Sequence, residues 1–168
     1  MTHRPSREAV AVSMLRSPER FPGLPPRSEF DRLLCLWRLP SFSPHASWSL
    51  FRQRDADRSV VRRLMHDPAR GLPVNVEDPH VFGAEALLPA ADAQRIVDRF
   101  EALSLPVFRR YPGVGLDGTA YGVRTGNVYG GACVEWWEHG PEGWAPLRAA
   151  FEHAVEAFER ALPAPTLC

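Results

Sequence analysis

Two stretches of the chain repeat apolar residues at helical spacing. Near the C-terminus, Trp144, Leu147, Phe151, Ala154, Val155, Phe158 and Leu162 follow the 3.6-residue period and predict a long amphipathic helix. Pro146 suits its first turn, and Glu152, Glu156 and Glu159 form an outward acidic strip. The segment PAADAQRIVDRFEAL predicts a second helix with Ala93, Ile96, Val97, Phe100 and Leu103 on its apolar stripe. Pro89 again falls in the first turn, and Asp92 complements the helix dipole. Other segments alternate with period two. SWSLFRQ and SVVRRLMH, joined by RDADR, predict a hairpin. LDGTAYGVR and ACVEWWEH predict two more strands, with the Asp117-Gly118 pair as a tight turn in which glycine takes positive φ. If Tyr121, Val123, Val134 and Trp136 point inward, Arg124, Glu135 and Trp137 lie on the opposite face. VFGAEALL reads as a short extended segment leading into the helix that follows it.

These elements predict an α+β fold over residues 46–163. The expected order is β-β-α-β-β-α, as a two-layer sandwich of a four-stranded antiparallel sheet with two helices on one face. Seven of the 17 prolines lie in residues 1–45, which therefore read as an irregular N-terminal arm. One short helix at 28–38 is expected inside it: Ser28 can cap, Asp31 falls in the first turn, and Phe30, Leu33, Leu34 and Trp37 share a face. Residues 164–168 read as a tail. The apolar run AVAVSML is too short to span a membrane and poor as a signal peptide.

Composition adds little to that picture. At 45% hydrophobic and 24% charged residues, the chain has globular rather than disordered values. All 20 basic residues are arginine, with one isoleucine and two asparagines, the mark of a GC-rich coding bias. Net charge is zero but unevenly placed: residues 1–84 hold 13 arginines against 9 acidic residues, and residues 85–168 hold 7 against 11. A balanced, lysine-free chain with an acidic second half does not read as a nucleic-acid binder. Cys35, Cys133 and Cys168 have no CxxC spacing, which fits a reducing cytoplasm and no disulfide framework.

The chain carries no GxSxG, P-loop, HExxH or GxGxxG in strand-to-helix context. Asp55 and Asp57, and the group His66, Asp67, Glu77, Asp78 and His80, have residue types that bind metals but no ligand spacing, so no metal or other cofactor is expected. Cys133 and His139 sit six residues apart on an extended strand, about 20 Å, too far for proton transfer.

The segments SWSLF, VFGAEALLP, LDGTAYGV and EWW…PEGWAPL resemble a group of small bacterial α+β proteins, over about Trp48 to Leu162. Many members of that group are similar to accessory or immunity components of toxin and defence loci. The resemblance implies a protein partner, such as the product of a neighbouring gene, and brings no established activity with it. Together these readings point to a non-catalytic protein-binding module whose contact runs through Trp137 or through Glu152, Glu156 and Glu159. The alternative is a small hydrolase with a polar site around Asp117, Arg124 and Glu135.

Overall fold

A computed structural model describes residues 6–53, 56–68, 80–108, 115, 117–127 and 130–165. Its centre is a six-stranded, wholly antiparallel sheet rather than a four-stranded one. The strands are β1 (Asp31–Pro40), β2 (His45–Arg52), β3 (Arg58–His66), β4 (Val81–Pro89), β5 (Thr119–Asn127) and β6 (Gly130–Trp137), ordered β4-β3-β2-β1-β5-β6. The first four form a meander. Helix α2 (Ala90–Glu101) then carries the chain back across the sheet, so that β5 pairs with β1 and β6 closes the edge. The other helices are α1 (Arg7–Arg16) and α3 (Ala145–Ala161).

The largest departure from expectation is at the N-terminus. The helix expected at 28–38 is strand β1, which lies inside the sheet, bonded to β2 on one side and β5 on the other. Its residues Leu34, Cys35, Leu36 and Trp37 are all fully buried because both faces of the sheet are covered. A strand buried on both faces loses its alternation and reads as a continuous apolar run, which matches helical spacing equally well. The prolines mark the ends of this strand and leave its interior free. AVAVSML forms most of α1, started by Ser6, whose hydroxyl accepts from the Ala9 N–H at 3.2 Å. VFGAEALLP is a full strand, β4. The fold is therefore α+β with three helices and three layers, not two helices and two layers.

One face packs against α2 and α3. Leu34 and Leu36 from β1, Trp48 and Leu50 from β2, Val61 from β3, Val123 from β5 and Trp136 from β6 meet Ile96, Phe100, Phe151 and Phe158 there. Both sequence-predicted helices occupy their expected spans. The other face is covered by α1, with Ala11 and Leu15 fully buried, and by residues 17–30. Here the decisive contacts are polar. The Arg62 side chain is fully buried and donates to Glu85 at 2.5 and 2.8 Å and to the carbonyls of Pro18 and Pro25. Arg27 completes a fork on the same carboxylate at 3.1 and 2.6 Å. Burial pushes the Glu85 carboxyl up, but the hydrogen bonds from Arg27 and Arg62 outweigh it and hold the group below its usual range. The arm is thus latched to β3 and β4 through one carboxylate.

Gly122 shows how the sheet admits a large ring on this second face. It pairs with Trp37 across β1 and β5, and a Cβ at Gly122 would overlap the indole. Glycine is needed at Gly118 for a similar reason, not for positive φ: a Cβ there would overlap the Glu138 carboxylate and the Trp137 ring.

Candidate functional site

Three adjacent strands place a row of side chains on the α3 face. Arg38 of β1 pairs with Tyr121 of β5, and Tyr121 pairs with Trp136 of β6. The rings of Tyr121 and Trp136 stack at 5.5 Å between centroids, 12° from parallel. Phe151 of α3 meets both edge-on, at 5.4 and 5.7 Å, and Trp144 meets Trp136 edge-on at 6.2 Å. These are the favoured aromatic geometries, and they make a stiff floor.

Above that floor lies a cleft of about 390 Å³, with Glu152, Val155 and Glu156 on its helical wall and Arg38 on its sheet wall. Its β6 end is closed by Glu138, His139 and Arg148. Arg148 Nη1 donates to His139 Nδ1 at 3.0 Å. A guanidinium only donates, so this contact needs the neutral ring with its proton on Nε2. Glu138 takes φ of 51°, a left-handed value costly for a residue with a Cβ. In that conformation its carboxylate accepts the Thr119 N–H and ties the end of β6 to the start of β5. Trp136 Nε1 is buried without a hydrogen-bond partner among the described residues.

The sequence-predicted residues divide between the two faces. Glu152 and Glu156 are exposed and line the cleft. Glu159, one turn on, is engaged: it accepts from Trp48 Nε1 at 2.6 Å and pairs with Arg63, which also donates to the Pro163 carbonyl at 2.9 Å. Glu159 therefore anchors the end of α3 to β2 and β3. Trp137 lies on the α1 face, half-buried against Gly118, so it and the acidic strip do not form one surface.

Arg124 and Glu135 also lie on the α1 face, but each has its own partner there. Arg124 stands 5.8 Å from the Trp37 ring, which Arg16 approaches from α1 at 5.3 Å. Glu135 pairs with Arg16 of α1 at 3.1 Å. Asp117 is exposed in the bend before β5. None of these three lines the cleft.

No group of three His, Cys, Asp or Glu side chains that could hold a metal ion occurs among the described residues. Asp55, Glu77 and Asp78 lie outside them. His66 directs Nδ1 to the His80 carbonyl at 3.4 Å and packs 5.7 Å from the His45 ring. Cys35 and Cys133 are free thiols, and burial pushes the Cys35 thiol up, making it less reactive.

Sequence reading missed Arg38, Glu138, His139 and Arg148 as a set, because they come from three separate elements. The one local signal was the Tyr121 and Trp136 alternation, which was read as core alone.

No protein-family model matches the chain, and no curated protein or solved structure is significantly similar to it. No helix among the described residues is long and apolar enough to cross a membrane.

Proposed function

We propose that this protein is a non-catalytic binding module for a protein partner, of the accessory or immunity type that its sequence resembles, working in the cytoplasm. The observation that carries this reading is the meeting of Glu152 and Glu156 with an aromatic-floored cleft. Like charges at the rim steer encounter, and a rigid aromatic floor slows release. Asp117, Arg124 and Glu135 favour the hydrolase alternative less, since two of them are drawn into contacts with α1 or its neighbours and none lines the cleft. Two free thiols without ligand or disulfide spacing agree with a reducing compartment.

The test is co-purification of the tagged protein with co-expressed products of adjacent genes. Wild type and the double variant Glu152→Arg, Glu156→Arg are compared after both are shown to be folded. The expected result is a defined partner retained by wild type, with the double reversal weakening binding at least tenfold. A partner held equally by both would move the contact to Trp137 or to the N-terminal segment. Turnover of a small molecule without a partner would replace the reading with an enzymatic one.

A further inference from the structure

The cleft carries open charges of both signs. Arg38 is exposed and lies over the face of the Trp48 ring, 5.7 Å from its centroid; no carboxylate pairs with it among the described residues. Glu152 faces the same cleft from α3, also exposed and without an ion pair among the described residues. Glu156 pairs only with Arg160, at 3.4 Å and with both side chains mostly in solvent, where water screens the pair. At the β6 end one cation and one carboxylate, opposite in sign, keep their charges but are held in place by uncharged partners. Arg148 is bonded to His139, and Glu138 holds the Thr119 N–H. The middle of the cleft is therefore left with one cation on the sheet wall and two carboxylates on the helix wall. Between them the half-buried Tyr121 ring lies on Trp136.

That arrangement selects against ligands of a single sign. An acidic segment would satisfy Arg38 but meet Glu152 and Glu156. A basic one would satisfy the glutamates but meet Arg38. Like charges brought together at an interface repel, so the pattern acts as a filter as well as an attraction. The volume of about 390 Å³ suits one large side chain and the groups beside it, not a folded surface.

We propose that the cleft receives a peptide segment of the partner in which an aromatic side chain stands between an acidic and a basic residue. The aromatic ring packs on Tyr121, the acidic residue reaches Arg38, and the basic residue reaches Glu152 and Glu156. In an extended segment, side chains at alternate positions share a face and repeat at about 6.6–6.8 Å, so a segment with the three anchors at alternate positions presents all of them to the cleft. This inference rests on the protein-binding reading and names the chemistry of the site within it.

The experiment uses blocked pentapeptides against the full-length protein. The probes are acetyl-Glu-Ala-Phe-Ala-Arg-amide and its reverse, acetyl-Arg-Ala-Phe-Ala-Glu-amide. Controls are the two same-sign peptides, the Gln-Ala-Phe-Ala-Gln peptide and free phenylalanine. Binding is read by NMR shifts of the tryptophan indoles and by calorimetry. One dipolar peptide should bind at least tenfold more tightly than every control. Arg38→Glu and Glu152→Arg should each remove that preference, and the double reversal should transfer it to the peptide of opposite direction. Equal or tighter binding of a same-sign peptide would overturn the proposal, as would unchanged affinity in Arg38→Glu. Equal binding of free phenylalanine would overturn it in favour of a small-molecule site. Absence of binding by any peptide at millimolar concentration would also overturn it. The broader protein-binding reading would then still stand or fall on co-purification with the glutamate-reversed variant.

Discussion

The two faces of the central sheet are held by different physics. The α2/α3 face buries aliphatic and aromatic side chains from all six strands and two helices. The α1 face buries apolar groups too, but its covering segment is fastened through Arg62, Glu85 and Arg27 and through two proline carbonyls. Burial of apolar area is non-directional and tolerates small shifts. A buried guanidinium is directional, and each of its donors must be met. The first face therefore tolerates small shifts among its side chains, whereas the second depends on every partner of one buried charge.

Four groups of measurements sharpen that contrast. The largest effects, of equal expected size, are at Arg62 and at the buried phenylalanines of α3. Arg62→Ala strips Glu85 of one of its two arginines and leaves the Pro18 and Pro25 carbonyls without this donor, at a cost of about 3–5 kcal/mol. The paired replacement Arg62→Met with Glu85→Leu removes both charges and should recover part of that loss, although Arg27 then needs a new partner. Urea midpoints for the three proteins decide the matter; a double variant no better than the single would mean the latch acts through shape rather than through unpaired charge.

On the apolar face, Phe158→Ala should cost about 3–5 kcal/mol, since the ring is fully buried between α3 and the sheet. Phe151→Ala belongs in the same range and also removes the edge contacts to Tyr121 and Trp136. A loss under about 1 kcal/mol in both would show that α3 is peripheral to stability.

Gly122→Ala tests the second face by adding atoms instead of removing them. The new Cβ overlaps the Trp37 indole, and because that ring is fully buried it has little room to move. Overpacking of this kind costs about 1–3 kcal/mol. The companion Gly122→Ala, Trp37→Leu should be less destabilised than the sum of its parts, measured by thermal and chemical unfolding.

The smallest and most condition-dependent effect is on pH. His45 is held below its ordinary value of 6.5 by burial and then by the neighbouring His66. The unfolded chain takes up a proton there before the folded one does. The stability tied to neutral His45 is thus fully present above its ordinary value and is lost as pH falls toward the depressed one. Glu85 has the same sign at lower pH. Its contribution is present above the ordinary carboxylate value of 4.5 and is lost as pH falls through the depressed folded value. Stability should fall in two stages on acidification. His45→Phe should flatten the upper stage and Glu85→Gln the lower one. An unaltered pH profile in His45→Phe would assign the upper stage to another group.

The chain's own pattern determined the elements that are apolar on one side and polar on the other. Helices α2 and α3, the β2–β3 hairpin and the opposite facing of Trp136 and Trp137 were legible because half-buried elements keep their period. Strand β1 was not, since Leu33 to Trp37 gives the same run whether it is a strand covered on both faces or one side of a short helix. Helix α1 was hidden for a related reason: its apolar residues are spread around the helix instead of forming a stripe. The cleft was half legible. Glu152 and Glu156 follow from the period of α3, but Arg38 joins them only because β1 lies beside β5, a non-local pairing that no local pattern encodes. Only tertiary structure decided that Glu159 is tied down while Glu152 is open, because the difference rests on Trp48 and Arg63, nearly a hundred or more residues away in the chain. Local periodicity reports how each element meets its surroundings, whereas a site is made by which elements become neighbours.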